Sequence, residues 1–285
     1  MKFAFIKRHE EEHCVGRMAE LLGVTRNGYY SWKTRSVSKR ELGNEIILKE
    51  IVQIFESSKR RYGYPRVYKV LISRGIKCGI NKVAKLMKEN DLRAKAKKKY
   101  RATTDSDHGN KVYENILDRK FNVDKPDTVW VSDITFVYTR EGWLYLCIII
   151  DLYSRKVVGY STGERIDTQL LLRAFMMAYT MRRPKRDIIF HSDRGVQYTS
   201  DLFQKKLKKY GFRCSMSRKG NCWDNACAES FFHTIKVEEL NHKNFKTREE
   251  AHRSIFEYIE IFYNRKRIHS YLGYLSPEEF ELKAA

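Results

Sequence analysis

Residues 128–162 read T-V-W-V-S-D-I-T-F-V-Y-T-R-E-G-W-L-Y-L-C-I-I-I-D-L-Y-S-R-K-V-V-G-Y-S-T. Apolar and β-branched residues dominate this stretch. Short polar breaks fall at Arg140–Gly142 and near Ser154. The pattern predicts three strands, over 129–137, 143–151 and 155–162, joined by tight turns and therefore antiparallel. Downstream the rhythm changes. A helix is expected over 168–182, a short apolar strand at Ile188–Phe190, a helix over 200–210 and a strand at Phe212–Met216. A helix then runs from about Asn225 past Lys236, and an amphipathic helix spans 247–263. Three hairpin strands followed by alternating helix and strand predict an α/β core on a mixed sheet.

Upstream of the strands the sequence is helical and basic. Residues 17–33 outline a short helical hairpin, broken near Gly23, with Thr25 placed to cap its second helix. Leu42, Ile46, Ile47, Ile51, Ile54 and Phe55 recur at helical spacing over 39–58. A turn at R-Y-G-Y-P-R (residues 61–66) leads to helices over 66–73 and 81–89. In the last of these, Val83, Leu86 and Met87 form an inner stripe, while Lys82, Lys85 and Lys88 step along a more exposed side. That face suits a recognition helix lying against DNA. Residues 94–125, with K-A-K-K-K-Y-R and a polar run, read as a linker too poor in apolar residues to build a core.

Charge supports this division. The chain carries 56 Lys and Arg against 35 Asp and Glu, a formal net charge of +21. Most of the excess lies in residues 1–101, which holds 26 basic and 10 acidic residues. A polyanionic partner follows, because Lys and Arg displace counterions from phosphates. The six cysteines form no C-x-x-C pair, and His9 and His13 lack cysteine partners for a zinc site. The longest wholly apolar run, Trp143 to Ile150, is too short to span a membrane. The opening residues lack a secretory core. A protein of the cell interior, with reduced thiols, is expected.

Three acidic residues stand in unusual company. Asp133 is a charge inside a half-buried strand. Asp193, in I-I-F-H-S-D-R-G, ends a short apolar strand, where open α/β sheets tend to place their sites. Glu229, in G-N-C-W-D-N-A-C-A-E-S-F-F, lies on a helix. Converging carboxylates suit hard ions such as Mg²⁺ or Mn²⁺, and two such ions can serve phosphodiester chemistry. Thirty-five residues separate Asp193 from Glu229. Lys236 falls on the same helical face as Glu229. Asp224 competes for the third position but stands where it can cap the coming helix or order the loop before it. His191 and His233 read as supporting rather than reacting groups, and Asp151 as structural.

The interval and motifs resemble the D-D-E signature of integrases and transposases. H-S-D-R-G-V-Q-Y-T-S, K-G-N-C-W-D-N-A-C-A-E-S-F-F and Y-N-R-K-R-I-H-S-Y-L-G-Y-L-S-P-E-E-F resemble the IS-three family of bacterial insertion-sequence transposases, in the orfB product. R-Y-G-Y-P-R-V and its following helices resemble that family's helix-turn-helix, and the likeness covers roughly residues 40–282. It implies an RNase H-like core with a mixed five-stranded sheet, preceded by an all-α helix-turn-helix region. The divisions expected are 1–95 for the helical DNA-binding region, 96–125 for the linker, 126–240 for the catalytic core and 241–285 for a helical extension.

The resemblance also implies roles. Asp133, Asp193 and Glu229 would hold two Mg²⁺ ions, with Mn²⁺ able to substitute. Lys236 would contact the element end, and Arg66, Lys82, Lys85 and Lys88 would contact DNA. The partners would be double-stranded DNA, as terminal inverted repeats and target, a product of a partner reading frame, and further copies of the chain. The place would be the bacterial cytoplasm, at the nucleoid. A nuclease that only hydrolyses and a DNA-binding regulator with a dead core are the competing readings. Residues 102–285 are expected to fold without residues 1–101.

Overall fold

Six helices open the computed structural model, which describes residues 1–36, 38–95, 112–185, 187–219 and 221–284. α1 (Lys2–His9), α2 (Val15–Leu21) and α3 (Arg26–Lys33) enclose a small core of Ile6, Met18, Ala19 and Tyr29. Thr25 caps α3 as expected, its hydroxyl accepting from the Gly28 N–H at 3.0 Å. α1 is an addition to the sequence reading, because its apolar residues run consecutively at 3–6 rather than at helical spacing. α4 (Lys39–Ser57) starts with a capping box between Ser38 and Glu41. α5 (Tyr64–Ser73) carries Pro65 in its first turn, where the missing N–H costs nothing. α6 (Ile80–Glu89) buries Val83, Leu86 and Met87 and leaves Lys82, Lys85 and Lys88 exposed.

The sheet has five strands in the order β3-β2-β1-β4-β5. β1 (Val129–Thr139), β2 (Gly142–Asp151) and β3 (Val157–Gly163) are antiparallel, as their tight turns require. β4 (Ile188–Ser192) lies parallel to β1 on its other side, and β5 (Phe212–Met216) parallel to β4. These two arrive through crossovers: α7 (Thr168–Arg182) before β4, then α8 (Val196–Thr199) and α9 (Asp201–Lys209) before β5. A 3₁₀ turn at Cys222–Asn225 leads into α10 (Ala226–Glu238). α11 (Arg248–Phe256) continues as wider π turns over Glu257–Tyr263, and α12 (Pro277–Ala284) follows.

The two-residue period of the strands divides the core. Trp130, Cys147 and Ile149 pack with Leu170, Phe175 and Phe203 of α7 and α9. Val129, Val131, Ile148 and Ile150 belong to the cluster of Phe231, Ile235, Ile255 and Ile259 from α10, α11 and the π turns. That second cluster does not stop at the catalytic half. Ile47, Ile51, Phe55, Tyr62, Val67 and Leu71 belong to it as well. α4–α6 thus share an apolar cluster with the half that residues 102–285 are expected to form without residues 1–101.

The expected linker lies outside the described residues over 96–111. Residues 112–125 are laid along the core instead of crossing solvent. The N–H groups of Ile116 and Leu117 donate to Ser215 Oγ at 2.9 and 3.1 Å, and Leu117 is buried. Polar composition concealed this, because the apolar residues that anchor the segment, Leu117, Phe121 and Val123, are scattered singly among polar ones.

Candidate active site

Strand register brings the first two carboxylates together. β1 and β4 are parallel neighbours, with Val131 opposite His191. Asp133 and Asp193 each lie two residues further on, so Asp133, midway along β1, flanks Asp193 just past the end of β4, on strands that run ~4.8 Å apart. Asp133 Oδ1 accepts from the Ile134 N–H at 2.8 Å. Asp193 Oδ1 accepts from the Gly195 N–H at 3.0 Å. A Cβ on Gly195 would lie 3.1 Å from that same Oδ1 and 2.4 Å from the end of the Gln197 side chain, so a larger residue there would press on the loop around Asp193 and displace Gln197.

Electrostatics report the crowding. The Asp133 carboxyl is held well above the usual carboxylate range, first by burial and then by the charge of Asp193, with Glu229 adding less. Glu229 is exposed in the first turn of α10, and burial of part of its side chain raises its carboxyl. Among the described residues no three His, Cys, Asp or Glu side chains close into a group that could hold an ion. The two aspartates form the near pair, and Glu229 stands outside it.

α10 is hung from β1 beside Asp133. Asn225 Nδ2 donates to the Ser132 carbonyl at 3.1 Å, which fixes the start of the helix against the strand. The sequence reading missed Asn225, whose partner lies 93 residues away. Lys236, two turns beyond Glu229, is half-buried with Nζ 5.3 Å from the Phe136 ring. Burial lowers the Lys236 ammonium while the Asp133 charge supports it. Glu229 and Lys236 thus both act on Asp133, as one helical face would have it.

The supporting residues are also placed. His191 is buried between Ser215 Oγ (2.9 Å) and Ser217 Oγ (3.3 Å), and burial pushes it down to about 4, so its ring is neutral. His233 is exposed. Ser132 Oγ lies 2.9 Å from the buried Tyr198 hydroxyl. Asp151 pairs with Arg182 at 3.1 Å at the far end of β2.

Of the two roles expected for Asp224, the structure shows loop ordering and not capping. Asp224 makes no helix cap. Its buried carboxylate accepts from Arg218 Nε at 2.9 Å, Arg119 Nε at 2.8 Å and Asn115 Nδ2 at 3.0 Å. Arg66, expected to contact DNA, is half-buried and pairs with Glu238 at 3.3 Å. Lys82, Lys85 and Lys88 keep the exposed side of α6, with Lys85 3.6 Å from Glu89.

The comparisons with known proteins agree with this architecture. Residues 123–222 and 229–284 each match a family described as Integrase core domain, and residues 41–100 match an HTH-like domain. The chain is similar to the transposase InsF for insertion sequence IS3A of Escherichia coli, 42% identical over 285 residues and covering 99% of each chain. It is also similar to a 31 kDa protein of insertion element IS600 from Shigella sonnei, 44% identical over 266 residues, 93% of this chain and 98% of that one. A fainter likeness in shape links it to the catalytic core domain of HTLV-2 integrase, solved in complex with magnesium. That likeness has a TM-score of 0.43 and 16% identity over 54% of this chain and 96% of the other. With near-complete coverage at this identity, and an integrase core on a five-stranded mixed sheet behind an HTH-like region, the chain belongs to the IS-three family of insertion-sequence transposases.

Proposed function

We propose that Asp133, Asp193 and Glu229 form the centre at which this transposase cuts DNA at the ends of its element and joins the freed 3′ hydroxyl to a second phosphodiester. The observation that carries the reading is the side-by-side placement of Asp133 and Asp193 on parallel strands, their charges pressing on one another. Such a pair is costly unless a cation neutralises it. The donors are carboxylate oxygens, which fit hard divalent ions, Mg²⁺ with Mn²⁺ as substitute. Asp133 and Asp193 would hold them, with Glu229 completing the set. Two such ions supply activation of the attacking oxygen and stabilisation of the leaving one. Asp224 is no rival, because Arg218, Arg119 and Asn115 already occupy its oxygens.

The chain's own residues do the rest. Gly195 and Ile134 hold the two aspartates in orientation through their N–H groups. Asn225 fixes the approach of α10. Lys236 places a positive charge beside Asp133, where a DNA phosphate would lie. The lysine side of α6 suits duplex DNA, both terminal repeat and target. The functional divisions we propose are 1–95 for end recognition, 96–125 for the connection, 126–240 for the reaction and 241–285 for its helical support. Further copies of the chain on DNA, and a product of a partner reading frame, belong to the same reading. The setting is the bacterial cytoplasm, at the nucleoid.

The test uses a labelled element end with Mg²⁺. Glu229→Gln should reduce cleavage and joining by more than about a hundredfold, beyond the ~10–100-fold typical for losing a mere outer partner of a metal site. DNA binding and thermal stability should stay near wild type. Excess chelator should act on the wild type as the substitution does. Full turnover in chelator, or in Glu229→Gln, overturns the assignment. Nicks without joined products would mark a nuclease, and a shifted but uncut band a regulator.

A further inference from the structure

The β1–β2 hairpin carries rings that folding does not explain. Tyr138 and Trp143 face each other across the hairpin in register, with centroids 5.3 Å apart, and Phe136 packs edge-on to Trp143 at 4.9 Å. Tyr138 is 67% exposed and Trp143 46% exposed. Paired rings in water forgo the burial that ordinarily places aromatics in a core. They border a cavity of about 400 Å³, lined also by Arg140, Lys236, Lys243, Asn241, Asn244 and Phe245. Among the described residues that line it there are three cations and no carboxylate, Lys243 being paired with Glu239 outside the lining.

We propose that this cavity takes an unpaired nucleobase of the DNA strand whose phosphodiester lies at the carboxylates. Rings supply sequence-tolerant stacking, and cations hold the adjoining phosphates. A base inside a duplex cannot enter a side pocket, so the occupant is one that has left the stack. Phe136 stands three residues along β1 from Asp133, ~10 Å at the usual rise and on the alternate face of the strand, and Lys236 joins the two surroundings, its Nζ 5.3 Å from the Phe136 ring and its charge acting on Asp133. One strand can therefore reach the carboxylates and the rings together. A second copy of the chain is the poorer occupant, because a protein of net charge +21 repels itself at a cationic rim. The position of the base relative to the reacting bond rests on the proposed carboxylate centre; the binding of an unpaired base does not.

The experiment measures binding of the whole chain in excess chelator, so that turnover plays no part. The probes are a duplex oligonucleotide with an unpaired single-stranded tail and the blunt duplex of the same sequence. Wild type should prefer the tailed probe by about tenfold, the size of one base stacked on an aromatic ring. Trp143→Ala and Tyr138→Ala should each bring the two probes close to parity, and Trp143→Phe should restore part of the preference. Both rings are exposed, so the melting temperature should hold, and Arg140→Gln offers a second route if it does not. A preference that survives in the folded Ala variants overturns the proposal, as does a wild type indifferent to the tail. So does a DNA-free oligomer that these substitutions dissociate, since the rings would then join copies of the chain. Loss of cleavage with the tail preference intact would count against the carboxylate centre alone.

Discussion

Asp224 receives its partners from two separate segments: Arg218 and the Asn115–Arg119 loop. Its side chain is fully buried, and the Arg218 guanidinium holds its carboxyl far below the usual range. Asp224→Asn keeps the shape but removes the charge. We expect a loss of about 1–3 kcal/mol, the range for a buried acceptor that disappoints its donors, kept low because both arginines reach solvent. The sign with pH follows from the depressed carboxyl. Its stabilisation is present above the unfolded value near ~3.9 and fades below it. Urea midpoints should therefore show the deficit at pH 7 and a shrinking one below about pH 4. A constant deficit would mean that shape, not charge, matters there. From sequence the residue read as a helix cap or a loop-ordering group, because position beside a helix start is visible in a string; which of the two it is turned on a guanidinium 105 residues away, which is not.

Elements were more legible than contacts. Apolar, β-branched runs between polar breaks located β1, β2 and β3 to within a few residues, since a sheet covered by helices on both faces needs apolar residues at successive positions. Spacing also placed α10 and the face shared by Glu229 and Lys236. The expected helix over 247–263 came out in two forms, because π turns set Tyr258, Ile259, Phe262 and Tyr263 together on the buried side. The approach of α7 to β3 was invisible for a simpler reason: it depends on an atom that is missing. A Cβ on Gly159 would lie 2.4 Å from the Ala174 carbonyl oxygen and 2.7 Å from the Ala178 Cβ. Gly159→Ala should force α7 off the sheet and cost about 1–3 kcal/mol, read as a lower melting temperature. An unchanged melting temperature would show that the helix can slide at no cost.

At the scale of the molecule, Glu238 and Glu239 join what the sequence divides. Glu238 accepts from Arg267 at 2.7 and 2.9 Å, Tyr258 at 2.8 Å and Arg66 at 3.3 Å. Glu239 accepts from Arg61 and Lys243, and from Ser254 Oγ at 2.9 Å. Lys95 Nζ donates to the Glu238 carbonyl at 2.9 Å. Acids in the last turn of a helix read as solvated, because partners from residues 61, 66 and 267 share no local pattern with them. Removing residues 1–36 takes away only the small core of α1–α3 and should leave a cooperative melt within a few degrees of wild type. Removing residues 1–95 strips α4–α6 from the shared core and leaves two buried carboxylates short of Arg61 and Arg66. That chain should show no cooperative transition, and a normal melt would refute the shared core. On the proposed function, the same continuity would make the protein a ruler. Were the lysines of α6 on one stretch of duplex and the paired aspartates on another, the span between them would be set by side chains of one apolar cluster, not by a tether. Half a helical turn of added DNA, ~5 base pairs, would then present the wrong side of the duplex to the cutting centre, so the length of an element's end is written into the protein's core.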